Sequence, residues 1–375
     1  MLFVVMLLFL PLMAAAQDDQ PLPESPVVDN LPIEKYAIGK VMEIIEEQES
    51  EAGGYRQIAQ AIRVEILTGE EKGQTVEILH GGAFIISDQQ KVKVGEWVVV
   101  GKTETAEGQL YFVAETFRLP WIAGIFLFFA ALVIFLSRLK GLGSLMGMVI
   151  SIGVLVLFIV PRILEGSDPL ATALTGALIT AVVSLYLAHG FSKQTSIALG
   201  STIVILALAA GLSIAFVTIA KLFGFGSEEA FYLQLLQNNT IDLKGLLLGG
   251  IIIGVLGILD DITTAQTAIV FELKKANTGM GFKELYRGGL RVGREHISSL
   301  VNTLVFAYAG ASFPLLLVFS INKNIPLWTT LNSELVAEEI IRTLVGSTAL
   351  VLAVPIATAI AAYFASHKKT LPVQV

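Results

Sequence analysis

Seven long apolar blocks govern what this chain can fold into. They lie near residues 121–137, 144–160, 169–188, 196–219, 245–268, 297–319 and 340–364. Each approaches the roughly 20 residues a helix needs to cross bilayer hydrocarbon. A backbone in lipid must satisfy its own hydrogen bonds, so blocks of this length fold as helices. The pattern predicts an all-α polytopic membrane helix bundle of about seven transmembrane helices over 119–366. Composition agrees. Hydrophobic residues make up 54% of the chain and charged residues 15%, against roughly 25% charged in soluble domains.

The N-terminal end has a different character. Leu2 to Ala16 is apolar but too short to span. It ends Ala14-Ala15-Ala16-Gln17 and changes abruptly to Asp18 and Asp19. Residues 1–16 read as a signal peptide or, since no Lys or Arg precedes the run, as an uncleaved anchor. Residues 17–33, with Pro21, Pro23 and Pro26, read as a linker. Either reading places residues 34–118 outside the cytoplasm. Within them, Arg63–Leu67 and Thr75–Leu79 alternate around a Gly-containing turn, a hairpin pattern. Val92–Val99 and Tyr111–Val113 suggest further strands. About five short strands predict a small extracytoplasmic β-rich domain of OB-like type. His80 stands alone before Gly81 and reads as a turn histidine. Glu34 to Arg118 holds nine Lys and Arg against fifteen Asp and Glu. That acidity argues against a nucleic-acid partner. The chain has no cysteine, which excludes thiolate catalysis, and no cofactor is expected.

Lys and Arg in the short loops orient the bundle. With 34–118 outside, the cytoplasmic segments carry Arg138, Lys140, Lys193, Lys274, Lys275, Lys283, Arg287, Arg291, Arg294, Lys368 and Lys369. The outer loops carry Arg162, Lys221, Lys244, Lys323 and Arg342. The excess inside matches the topology drawn from the N-terminal end. The expectation is a cell-membrane protein with a cytoplasmic tail at 367–375. In the outer loops Ser227 and Ser333 are candidate helix caps. Glu338 and Arg342 are spaced to pair, which reads as a solvated helix end. Pro355 is a hinge candidate.

The fifth block contains the sharpest polar signal, Asp260-Asp261-Ile262-Thr263-Thr264-Ala265-Gln266. A charged carboxylate at the centre of a span costs about 2.5–3.5 kcal/mol, so two adjacent ones need partners, protons or cations. The sixth block opens with Arg294-Glu295-His296, then Ser298, Ser299, Asn302 and Thr303. Counting from the boundary at 1.5 Å per residue puts Asn302 and Thr303 near the depth of the acidic pair. The candidate ion- or substrate-binding residues are therefore Asp260, Asp261, Thr263, Thr264, Gln266, His296, Ser299, Asn302 and Thr303. Three readings of the pair stay open. It is a proton- or cation-coupling site, a divalent-metal site, or a pair at a span's mouth that binds water or Lys274. His296 is either a proton donor to the site or an interfacial histidine.

Gly257 to Leu317 resembles the YibE/F-like family of bacterial membrane proteins. The residues that carry the resemblance are Leu259–Thr263 with Gln266, Glu284–Arg287, Arg291–Ile297, Val301–Leu304 and Ala307–Ser312. His189–Ser192 and Arg342–Ser347 are similar to further family landmarks. The resemblance implies a bacterial cytoplasmic-membrane protein of seven or eight spans and names no substrate. A fainter likeness is to proton-driven permeases of the resistance-nodulation type and to the export accessory pair SecD/SecF.

Two functions are weighed. The first is a secondary transporter for a small solute or ion, with Asp260 and Asp261 binding a proton or cation. The second is a non-transporting scaffold or accessory subunit of an export machine, engaging a membrane partner through 34–118. A membrane-embedded protease ranks below both. Its two aspartates would come from different helices, whereas these are sequential and diverge by about 100°.

Overall fold

The structure, a computed structural model, describes residues 35–52, 55–81, 86–105, 108–236, 241–314, 317 and 326–367. The expected signal or anchor, the linker and the tail from 368 lie outside the described residues. The chain forms two compact units, divided between Phe129 and Ala130.

In the first unit, β1 (Lys35–Ala52), β2 (Tyr55–Ile66), β3 (Thr75–His80), β4 (Trp97–Thr105) and β5 (Gly108–Thr116) form one antiparallel sheet in the order β3-β2-β1-β4-β5. The hairpin expected near 63–79 forms, with Ile62 opposite Ile78 and Val64 opposite Val76. Its turn uses left-handed glycines at Gly69 and Gly73. Alternation sends Ile62, Val64 and Ile66 inward against Val41, Ile78, Val98 and Val100. Irregularities after Val41 and after Ile44 bend β1, because an extra residue on one strand locally increases twist. The sheet curls into a half-barrel. Buried Gln60 ties the turn side to the sheet: its carbonyl accepts from the Val92 N–H at 2.9 Å and its amide donates to Glu47 at 2.9 Å. His80 has the structural role expected of it, at 3.0 Å from the Gln90 carbonyl.

The helices are α1 (Leu119–Val154), a π turn (Leu155–Ile159), α2 (Val160–Leu164), α3 (Pro169–His189), α4 (Lys193–Ile219), α5 (Glu228–Leu236), α6 (Leu243–Ala276), α7 (Phe282–Ala311), α8 (Leu327–Leu331) and α9 (Glu334–Ser366). Among the described residues five helical runs are long and apolar enough to cross a membrane: 119–164, α3, α4, α6 and α9. The seven expected blocks do not map onto seven separate apolar helices, for two reasons. The first two blocks share one helical run, interrupted at Arg138 with φ 53°. At that interruption Gly141 sits against the Val133 carbonyl and the Ser137 side chain. The sixth block does not begin at 297. Residues 282–296, read as a basic loop, are the first half of α7. Their charges keep α7 out of the apolar set.

The π turn lies just before Pro161, which has no N–H for the Leu157 carbonyl and crowds it, so the helix widens there. Ser227 caps α5 by accepting from the Ala230 N–H at 3.1 Å. Ser333 sits at the start of α9 but its hydroxyl turns back to the Thr330 carbonyl instead. α9 runs through Pro355 without a break. The bundle core gathers around α6, with Ile251, Ile252, Val255 and Leu259 packed against Ala209, Leu350 and Ala353.

One cluster in the sheet generates a pH test. Glu71 accepts from Lys102, which forms an ion pair with it, and from the Tyr111 hydroxyl at 3.1 Å. The Lys102 hydrogen bond holds the Glu71 carboxyl below the usual carboxylate range. Its folded form therefore titrates below its unfolded form. The stabilisation is complete at neutral pH and is lost as pH falls through the folded value. Glu71→Gln should lower Tm at pH 7, and the gap to the parent should narrow progressively as pH falls below the ordinary Glu value of about 4.3. Thermal unfolding of the full chain in detergent at several pH values checks this, and a gap unchanged down to acid pH would contradict it.

Candidate functional site

The site is built on α6, which packs against α3, α4, α7 and α9. Close approach is possible because α6 carries glycines where neighbours cross. A side chain at Gly249 would press on Ala173 at 3.0 Å and the Pro169 carbonyl at 3.1 Å, both on α3. Gly254 lies against the Tyr308 hydroxyl of α7.

On this frame a string of polar side chains runs from Asp260 to Thr267, about 10 Å along the axis. The Ser184 hydroxyl of α3 donates to one Asp260 carboxylate oxygen at 3.4 Å. The other Asp260 oxygen is buried, with no hydrogen-bond partner among the described residues. Thr263 and Thr202 of α4, both fully buried, share a hydroxyl hydrogen bond of 2.8 Å. Thr267 donates to the Thr263 carbonyl at 2.6 Å. The Gln266 carbonyl accepts from Thr358 of α9 at 3.0 Å. The Gln266 amide nitrogen is buried beside Gly293 of α7 and has no partner among the described residues. Thr264 donates to the backbone carbonyls of Asp260 and Asp261. Asp260 thus faces the bundle, while Asp261 is exposed.

A cavity of about 320 Å³ reaches α6 at Thr264 and Ala268, one turn from Asp260. Its other walls include Lys140, His189, Gln194 and Thr195. Among the described residues no group of three His, Asp or Glu side chains is placed to hold a metal ion.

The structure brings together Asp260, Thr263, Thr264 and Gln266 of the residues singled out from sequence. It does not join the α7 set to them. His296, Ser299, Asn302 and Thr303 are exposed, and Thr303 bonds its own backbone at Ser299. The neighbours found instead are Ser184, Thr202 and Thr358. Single hydroxyls in apolar helices satisfy themselves on the preceding turn, so nothing in their spacing marks them.

A second polar cluster sits at the other end of α9. Glu334 accepts from the successive N–H groups of Phe223, Gly224 and Phe225, at 2.5, 2.9 and 3.4 Å. Buried Glu338 accepts from the Gly226 N–H at 2.9 Å. The solvated helix end expected at Glu338 and Arg342 is corrected: Glu338 is buried, and Arg342 pairs with Glu339. Backbone N–H groups in a row make an anion cradle, and here α9 carboxylates fill it.

A family model described as YibE/F-like protein matches residues 125–367 of the chain. No curated protein and no solved structure matches it.

The string makes Thr358 a test of the packing. Thr358→Val keeps the shape but removes the only donor the described residues provide to the Gln266 carbonyl, leaving both ends of a buried amide unpaired. The expected loss is about 1–3 kcal/mol, read as a lower Tm in detergent. An unchanged Tm would show that Gln266 finds another partner.

Proposed function

The chain belongs to the YibE/F-like family, and from that premise we propose that it is a secondary transporter in which Asp260 binds the coupling proton or cation. One observation carries the reading. A carboxylate lies against α3 inside the bundle with one oxygen buried and unpartnered. An acidic group so placed needs a proton or a cation to complete it. The Thr263 and Thr264 hydroxyls lie one turn away, within hydrogen-bond distance of the Asp260 backbone carbonyl, and the cavity at Thr264 supplies access from one side.

In this reading the chain crosses the cytoplasmic membrane seven times. The arms on either side of Arg138 are two crossings, and α7 is the sixth. The sheet unit lies outside and the tail inside. Gly249, Gly250, Gly254 and Gly257 allow α6 to shift against its neighbours without side-chain clashes. Binding at Asp260 would favour one position of α6 over another, which is what coupling requires. Asp261 serves at most as an exposed companion charge. The sequential acids point in different directions, which disfavours proteolysis by a shared water.

The test is a proteoliposome assay with a pH-sensitive internal dye, run against a panel of ions and small solutes. Asp260→Asn should abolish coupled flux, and Asp261→Asn should leave most of it. Full flux in the Asp260→Asn variant would rule the mechanism out. Deleting 34–118 separates the scaffold reading, since a transporter keeps its flux and a scaffold loses its complex.

A further inference from the structure

The loop after α4 contains four successive backbone N–H groups whose only acceptors among the described residues are two carboxylates of α9. Phe223, Gly224 and Phe225 donate to one oxygen of Glu334, and Gly226 donates to Glu338. The last backbone bonds back to α4 are those of Lys221 and Leu222, to the Thr218 and Val217 carbonyls. From Phe223 onward the loop is therefore fastened to a helix distant in sequence.

The contact is close. Gly226 carries no side chain to hold the carboxyl off, since a Cβ there would lie 2.5 Å from the Glu338 carboxyl carbon. Gly224, at φ 90°, rests on α6, where a Cβ would meet the Leu243 carbonyl oxygen at 2.3 Å. Lys221 is left-handed at φ 53°. A lysine holds that conformation only while its surroundings fix it. The loop thus joins the end of α4 to the starts of α6 and α9 in a bent shape.

No cation is shared with the two carboxylates. Arg342, one turn beyond Glu338, pairs with Glu339. The other titratable side chains described on the adjoining elements are Lys221 on the loop, Glu229 on α5, Asp242 and Lys244 on α6, and Tyr308 on α7, which shares a cavity wall with Glu339. None of them has an ion pair or hydrogen bond to Glu334 or Glu338 among the described residues. The negative charge is met by N–H dipoles. Those bonds are strong because the acceptor is charged. A protonated carboxyl has no charge and one acceptor oxygen fewer, so proton binding and loop binding oppose each other.

We propose that Glu334 and Glu338 form a proton-released clamp on the loop at 223–226. Ionised, they hold the loop on α9. Protonated, they let it go, Lys221 relaxes, and the end of α4 is no longer tied to α9. The clamp is closed at high pH and opens as pH falls through the values of the two acids. The inference uses nothing of Asp260 and does not depend on transport.

Hydrogen exchange of the full chain in detergent, corrected for the intrinsic effect of pH, reads the clamp at amides 223–226. These amides should be protected at about pH 7.5 and lose that protection toward about pH 4. The expected acceleration is roughly tenfold or more, while amides 251–259 in the core of α6 stay slow. Glu334→Gln combined with Glu338→Gln keeps the size and removes the charge. That variant should exchange fast at 223–226 already at neutral pH and change little on acidification. Glu229→Gln, an exposed acid beside the loop, should behave as the parent. Protection that persists in the double Gln variant overturns the proposal, as does parent protection unchanged across the pH range. Simultaneous loss of protection at 251–259 also overturns it, because the loop then has no release of its own.

Discussion

Polar groups inside this bundle depend on partners within the protein, on their own helix or on a neighbour, because the surrounding medium supplies none. That constraint organises α6. Its hydroxyl, amide and carboxylate groups lie on the faces that meet α3, α4, α7 and α9, and each neighbour contributes what its own helix allows. α3 offers Ser184, α4 Thr202 and α9 Thr358. α7 offers no side chain but a glycine, which lets its backbone come beside Gln266. The glycines of α6 and α7 and the hydroxyls of α3, α4 and α9 answer one requirement, that a polar string be enclosed closely enough to dispense with water.

The membrane bundle was legible because hydrophobic blocks report directly on the solvent, and the acidic pair was legible because a charge inside such a block is costly. The hidden parts were hidden by the same physics. α7 reads as a loop when charges are counted, since Lys283, Arg287, Arg291 and Arg294 dominate its first half. Its packed face is Leu285, Gly289 and Gly293, and glycine carries almost no hydropathy signal although it permits the closest contact. The depth count that placed Asn302 near Asp260 was a statement about height along the axis. Height says nothing about which side of a helix a residue occupies, and Asn302 lies on the exposed side.

The sheet unit shows the opposite failure. β1 is its longest strand and was not visible as one, because Glu43 through Glu51 looks like a solvated acidic run. The strand holds because its acids have cations across the sheet. Glu43 pairs with Arg63, while Glu47 and Glu49 pair with Lys91. Such exposed pairs contribute little each. The strand is specified instead by Val41 and Ile44, which reach the core, and by the two irregularities that let one strand serve both β2 and β4. Pairing across strands is non-local information, and a charge run read along the chain conceals it.

The two faces of α7 bear on α6 together. One face of the helix touches Gln266 through Gly293, and the other carries exposed charges such as Arg291 and Glu295. Gln266 is hydrogen-bonded to α9 at its oxygen and has no partner at its nitrogen, so α7 meets the polar string at its least satisfied point. The four helices packed on α6 leave part of it uncovered, since Asp261 and Gly257 remain exposed. The uncovered side of α6 is the one on which Asp261 lies. The acidic pair thus straddles the edge of the packed string, with Asp260 held against α3 and Asp261 outside it.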